Sequence, residues 1–317
     1  MTALTMTAGS RARRVATDLL STYGIFIALA VVLIVAAIIA PNLFYPVNIG
    51  NTLRRAAILG LLAMAQILVL MVRGLDLSVA AMMGLTAVAV SRISDPVAAV
   101  AFAFAAALLV GSINAALVVV RKVPAFLATF GMALVIGGVQ LIWTRGAFSA
   151  DSPDYLVEFS RSSIGGIPFT AILWIAVTIV ATLWLRRTVS GRQLVMSGAN
   201  PRMAELSGVR TGRLVWIAFV VASSLAVVAG LLQTGYASYI DRTIGVGMEL
   251  DSITAALLAG ASFRGGEGSF IAAVGGVLLL SVLFTLLIVL GLPPEVQGIV
   301  NGAVLIFALV LRWPGKR

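Results

Sequence analysis

The chain has 317 residues, 61% of them hydrophobic and only 11% charged, and a mean hydropathy of +1.09. A soluble domain of this size needs far more charge to cover its surface, so the chain belongs in a membrane. It has no Cys and no His, which excludes disulfides, thiolate and imidazole metal sites, Cys nucleophiles and His bases; the net charge of +10 takes its meaning from the side of the bilayer on which it lies.

Residues 1–22, with Arg11, Arg13 and Arg14, read as a basic tail before an apolar run from Tyr23 to Ala40. That run is too long for a signal-peptide core and reads as an uncleaved first span. Apolar stretches follow at about 56–72, 77–92, 97–120, 124–143, 168–185, 214–235, 251–263, 269–290 and 296–312. Each is long enough, or nearly so, to cross ~30 Å of hydrocarbon at ~1.5 Å per residue. The expected architecture is an all-α polytopic membrane protein of about ten segments, with one transmembrane domain over 23–312 and a short tail at 313–317. The segment 251–263 is too short to span fully, as expected of a broken or tilted helix that lines a cavity; misplaced segment ends are the alternative.

Placing the N-terminus in the cytoplasm puts 16 of the 22 Lys and Arg residues inside and leaves Arg54, Arg55, Arg92, Arg145, Arg161 and Arg242 outside. This positive-inside bias orients the chain with both termini cytoplasmic. The basic excess is then topological, and nucleic acid drops out as a partner.

Two polar connections interrupt the apolar pattern. The external stretch Thr144–Pro168, with Asp151, Asp154 and Glu158, reads as a capping loop or a docking surface. The cytoplasmic stretch 186–213 contains Asn200-Pro201, an N-cap followed by proline at the first helical position. The spacing predicts one or two helical turns over Met203–Leu206, stopped by Gly208 in a left-handed conformation. Such a surface helix either fits a groove on a partner or is a solvated linker.

A short pattern occurs twice, at Leu75-Asp76-Leu77-Ser78 and Leu250-Asp251-Ser252-Ile253, 175 positions apart. Five predicted crossings separate the copies, an odd number, so they fall on opposite faces of the bilayer as in an inverted repeat. Asp76 and Asp251 suit helix N-caps, anchors of gating helix ends, or both; Glu249 stands in the same motif as Asp251. Within the segments, Gln66, Asn114, Gln140, Gln233 and Asn301 offer amides that either meet a neutral polar solute or bond between helices. No Asp, Glu, Lys or Arg is expected deep in a span, which argues against a proton- or sodium-coupled transporter. The turn Phe263-Arg264-Gly265-Gly266-Glu267-Gly268-Ser269 is glycine-rich, but no Gly-Lys-Ser/Thr follows it, so a Walker-type ATP site is absent from the sequence.

Three ordered motifs carry a family resemblance over about 40–312: Gly74-Leu75-Asp76-Leu77-Ser78-Val79; Gly191-Arg192 with Gly198-Ala199-Asn200-Pro201, Ala204 and Ser207-Gly208; and Glu249-Leu250-Asp251 with Gly265-Gly266-Glu267-Gly268-Ser269. The chain resembles the permease subunits of ribose-type monosaccharide ABC importers, of the type II importer fold. The resemblance implies a multi-pass protein of the bacterial inner membrane, paired with a second copy or a sister permease. It also implies two cytoplasmic ATPase subunits, which bind the ATP and Mg2+, and a periplasmic sugar-binding protein, with no cofactor and no enzymatic activity in this chain. It places coupling to the ATPase in Gly191, Arg192, Gly198, Asn200, Ala204, Glu205 and Gly208, with Arg192 and Glu205 as polar contacts. Gln66, Asp76, Asn114, Gln233, Glu249, Asp251 and Asn301 become candidates for the translocation path or its gates. The chain departs from the family pattern at Gly247-Met248, at Ala259-Gly260-Ala261-Ser262 and near Thr285, and these departures bear on the substrate. An autoinducer sugar, a nucleoside or a branched-chain amino acid remains an alternative cargo. A stand-alone secondary transporter or channel is the competing class, and a membrane enzyme lacks an evident acid–base pair.

Overall fold

A computed structural model of the chain describes residues 8–146, 149–237, 239–241 and 243–312. The expected C-terminal tail 313–317, residues 1–7 and Arg242 lie outside the described residues. Thirteen helices are present among them: α1 (Ala8–Ile39), α2 (Pro46–Met71), α3 (Ser78–Arg92), α4 (Pro96–Val119), α5 (Ala125–Thr144), α6 (Asp154–Arg161), α7 (Phe169–Arg187), α8 (Val189–Ala199), α9 (Pro201–Leu206), α10 (Thr211–Ala237), α11 (Met248–Leu258), α12 (Phe270–Val289) and α13 (Pro294–Arg312). Ten of them match the ten apolar segments, and α1 begins inside the stretch read as a tail. Six, α2, α4, α5, α7, α10 and α12, are long and apolar enough to cross a membrane.

Local chemistry sets several starts. Proline occupies the first turn of α2, α4 and α9, where a missing N–H costs nothing. Asp95 accepts from the amides of Val97 and Ala98 at 2.8 and 3.2 Å to begin α4, and Ser269 accepts from Ala272 to begin α12.

The core is built around α2, buried without interruption from Ala56 to Met71. Helix α10 packs along α2, α3 and α4, while α11, α12 and α7 cover the rest of α2. Small residues permit the close approaches: a methyl group on Gly111 of α4 would come within 2.7 Å of Val220 Cα on α10, and one on Gly60 of α2 would overlap the Trp174 indole of α7. In a membrane this packing replaces the hydrophobic drive that holds soluble bundles together.

The order of helix lengths recurs. Helices α2 to α5 have 26, 15, 24 and 20 residues, and α10 to α13 have 27, 11, 20 and 19. In each half a long helix is followed by a break and a short helix, with the Leu-Asp motif just before the short helix α3 and inside the short helix α11. The short α11 matches the expected short segment. Helix α3 is short as well, about 22 Å, because its chain breaks at 72–77.

Each end of the bundle collects residues assigned to one side of the bilayer. At one end Arg54 donates to the carbonyls of Ser160 and Arg161, and Arg55 to the Tyr236 hydroxyl. At the other Arg73 meets Gly198 and Ala199. The all-α expectation holds apart from two small antiparallel ladders. Strands β1 (Ser149–Asp151) and β4 (Tyr239–Asp241) pair with each other, as do β2 (Ser163–Ile164) and β3 (Ile167–Pro168). With α6, β1 to β3 turn the polar stretch 144–168 into a docked cap. Leu156 is buried against α10, and Ser152 donates to the Thr234 carbonyl at 2.7 Å.

Candidate functional site

The break between α2 and α3 removes backbone groups from helical pairing in a buried place, and side chains from three helices replace the lost partners. Gln66 of α2 donates to the Asp76 carbonyl at 2.6 Å. Thr129 of α5 accepts from Leu77 N at 3.1 Å and lies 3.0 Å from the Leu75 carbonyl. Asp76 Oδ1 accepts from both the amide and the hydroxyl of Ser78, at 2.8 and 2.5 Å, and Asn114 of α4 donates to that hydroxyl at 3.0 Å. Asp76 thus satisfies the first amide of α3 from one residue before the N-cap position, which Leu77 occupies without a side-chain bond, so the N-cap reading of Asp76 is corrected by one residue. All five side chains, Gln66, Asp76, Ser78, Asn114 and Thr129, are fully buried. Asp76 is fully buried although it lies between α2 and α3 and not within a span, and the break supplies the donors that hold it.

The second copy of the motif is used differently. Helix α11 is entered through Gly247, at φ 87°, with no side-chain cap, and Asp251 lies inside its first turn. The capping reading of Asp251 is corrected: its Oδ1 accepts from Asn301 Nδ2 of α13, fifty residues away. Beside this pair is a cavity of about 210 Å3 lined by Arg55, Gln233, Tyr236, Asp251, Ser281 and Gln297, with Leu59, Met248 and Phe284 as its apolar wall. The Ser281 hydroxyl is buried and unpaired. Glu249 faces another cavity, of about 540 Å3, between α3, α5 and the turn before α11, together with Gln140, Thr144 and Asp241. Gln140 also donates to the Ala81 carbonyl at 2.7 Å. Gln233 and Asp251 therefore share one cavity, Asn301 steadies Asp251, and Gln66, Asp76 and Asn114 form the polar cluster at the α3 break. The α2–α3 break meets α11 and α13 through apolar side chains, Leu75 and Leu77 packing on Ile253, Leu257 and Ala308.

In the stretch 186–213, α9 forms as its caps predict: Asn200 Oδ1 accepts from Met203 N at 3.1 Å, and Gly208 takes φ 80°. A second helix, α8, precedes it, begun by Thr188 accepting from Gly191 N at 3.1 Å. Gly191, Gly198 and Ala204 are buried against the chain itself, so they shape the corner rather than face outward. Gly191 lies on the Trp184 and Leu185 carbonyls, and a methyl on Gly198 would overlap the Met71 carbonyl oxygen. Arg192 and Glu205 are exposed, although Glu205 already accepts from the Thr211 hydroxyl at 2.5 Å. Two apolar residues of α9 are also exposed, Met203 at 58% and Leu206 at 76%. Their position beside Ala204-Glu205 was the available sequence signal.

Arg73 carries no such signal beyond its place before Gly74-Leu75-Asp76. Its Nε donates to the Gly198 carbonyl at 2.6 Å and its Nη2 to the Ala199 carbonyl at 2.8 Å, at the C-terminal end of α8 where a cation is favoured. Gly266 N donates to the Met71 carbonyl at 2.9 Å, bringing the turn between α11 and α12 to the same place.

The sequence comparisons agree with this architecture. The chain is 31% identical over 294 residues to the ribose import permease protein RbsC of Bacillus subtilis (strain 168), covering 91% of each chain. It is 30% identical over 293 residues to the ribose import permease protein RbsC of Escherichia coli (strain K12), covering 90% of this chain and 91% of that one. It is also 34% identical over 262 residues to the autoinducer 2 import system permease protein LsrC of Escherichia coli (strain SMS-3-5 / SECEC), covering 80% of this chain and 76% of that one. No solved structure matches. The family described as the branched-chain amino acid transport system permease component matches residues 48–309, from the start of α2 to near the end of α13, and the chain belongs to it.

Proposed function

We propose that this permease is the translocating subunit of an ATP-driven importer and that its cargo is a monosaccharide or a similar neutral polyol. The observation that carries the reading is the 31% identity to a ribose import permease over 91% of both chains. The 210 Å3 cavity supports it. Two amides, two hydroxyls, a carboxylate and the Arg55 guanidinium line it together with the ring of Phe284, a mixture that suits a solute with hydroxyls on its edges and C–H groups on its faces.

Movement is the chemistry of this subunit; the solute crosses unmodified. Two cytoplasmic ATPase subunits, holding ATP and Mg2+, dock on the α8–α9 corner. A periplasmic sugar-binding protein delivers solute to the capped end. A second copy, or a sister permease, covers part of the apolar surface that α5 and α13 expose, and lipid covers the rest. The membrane is the bacterial inner membrane with both termini cytoplasmic, in keeping with the separation of charge between the two ends of the bundle.

The test is uptake in proteoliposomes containing the permease, its ATPase and its binding protein, with labelled D-ribose and L-leucine as cargo. ATP-dependent ribose uptake supports the proposal; uptake without any ATPase subunit overturns it in favour of a stand-alone transporter. Leucine uptake marks the second reading, a zwitterionic amino acid. One observation favours that reading: Arg55 and Asp251 line the same cavity and offer one charge of each sign.

A further inference from the structure

We propose that Arg73 is the positioning residue that carries movement of the α8–α9 corner to the α2–α3 break and to the turn between α11 and α12. The proposal rests on the ATP-driven reading above and adds the mechanical link within the permease.

Three chain segments more than sixty residues apart converge on this side chain. Its two donors grip consecutive carbonyls, Gly198 and Ala199, where α8 ends and Asn200 begins α9. Its stem packs against Gly265, while Gly266 lies on Ala199 and bonds the Met71 carbonyl. One residue further, Gly74 N returns to the Val69 carbonyl at 2.8 Å, and the chain enters the buried cluster around Asp76. Arg73 itself has φ 63°, a conformation that residues with a side chain rarely adopt and that glycine adopts freely. Lys122 and Arg145 take the same conformation; what sets Arg73 apart is the pair of carbonyls that its side chain holds.

The geometry also explains why the link is stiff. A planar guanidinium donating along one edge to two neighbouring carbonyls fixes both distance and angle, which a lysine ammonium on a flexible stem does not. The three glycines admit no side chain: methyl groups on Gly198, Gly265 and Gly266 would each overlap backbone or the Arg73 stem. A displacement of α9 therefore cannot be absorbed at the corner. It moves the start of α3 through Gly74–Leu77 and the turn after α11 through Gly265–Gly266.

Because the chain contains no Cys, a single reporter thiol needs no other replacement. Leu77→Cys places it in the α2–α3 break, facing the 540 Å3 cavity. The experiment measures the rate of maleimide labelling in the permease–ATPase complex, nucleotide-free and with ATP plus vanadate, with Arg73, Arg73→Gln and Arg73→Lys. With Arg73 the two states are expected to differ by at least about five-fold, the lower end of a usual coupling. With Arg73→Gln the difference falls below about two-fold while the ATPase still co-purifies, and Arg73→Lys restores less than half of it. A full nucleotide-dependent difference in either variant overturns the proposal and leaves the importer reading intact. Loss of ATPase binding in both variants also overturns it, since Arg73 would then shape the docking surface. No difference in the Arg73 complex itself defeats the importer reading first.

Discussion

Asn301 of α13 donates its side-chain amide to the carboxylate of Asp251 in α11, joining the last helix to the short helix of the second motif. The pair borders the polar cavity that contains Gln233 and Ser281. Replacing Asn301 by Leu leaves a largely buried carboxyl without its side-chain donor, at a cost of about 1–3 kcal/mol. The melting temperature of the detergent-solubilised protein should fall. Asp251→Asn, which keeps an acceptor for Asn301, should leave melting nearly unchanged while lowering uptake, and unchanged uptake would remove Asp251 from the path.

Gly198→Ala places a methyl group on the Met71 carbonyl oxygen, which is backbone and cannot swing aside. Overpacking of this kind costs roughly 1–3 kcal/mol. The expected result is a lower melting temperature together with lost transport. Gly208→Ala, where φ is 80° but nothing lies within 4 Å, should cost only the backbone strain of about 1 kcal/mol.

Leu206 is exposed on α9, and burying such a side chain in a groove is worth about 1.5–3 kcal/mol. Leu206→Arg should weaken ATPase co-purification by about ten-fold or more without changing the melting temperature of the isolated permease. Retained ATPase binding would place the dock elsewhere. Glu205→Arg is expected to do less by charge alone and to loosen the bond to Thr211 as well.

Gln66→Leu removes the donor to the fully buried Asp76 carbonyl, leaving that acceptor unpaired at about 1–3 kcal/mol. Hydrogen exchange of amides 72–78 should quicken. Exchange confined to the α2 interior would instead show that the break is held mainly by Thr129.

Much of the fold is legible in the sequence, because hydropathy acts within a segment and capping acts over a few residues. The ten apolar helices, the recurring Leu-Asp motif and α9, with Asn200, Pro201 and Gly208 at its ends, follow from the order of side chains alone. Helix α8 does not, since its mixed composition gives neither a span nor a clear amphipathic stripe.

What only the tertiary structure decided are the contacts between residues distant in the chain. Asp76 and Asp251 look alike in their motifs, yet one bonds the start of its own helix and the other an amide fifty residues later. Gln66 and Asn114 serve a broken backbone, while Gln233, equally polar and equally intramembrane in the sequence, faces a cavity. Arg73 reads as one more positive charge at a helix end until folding brings Gly198 and Gly265 beside it. The physical reason is that local order fixes what each residue can donate or accept, and only packing determines which partner arrives.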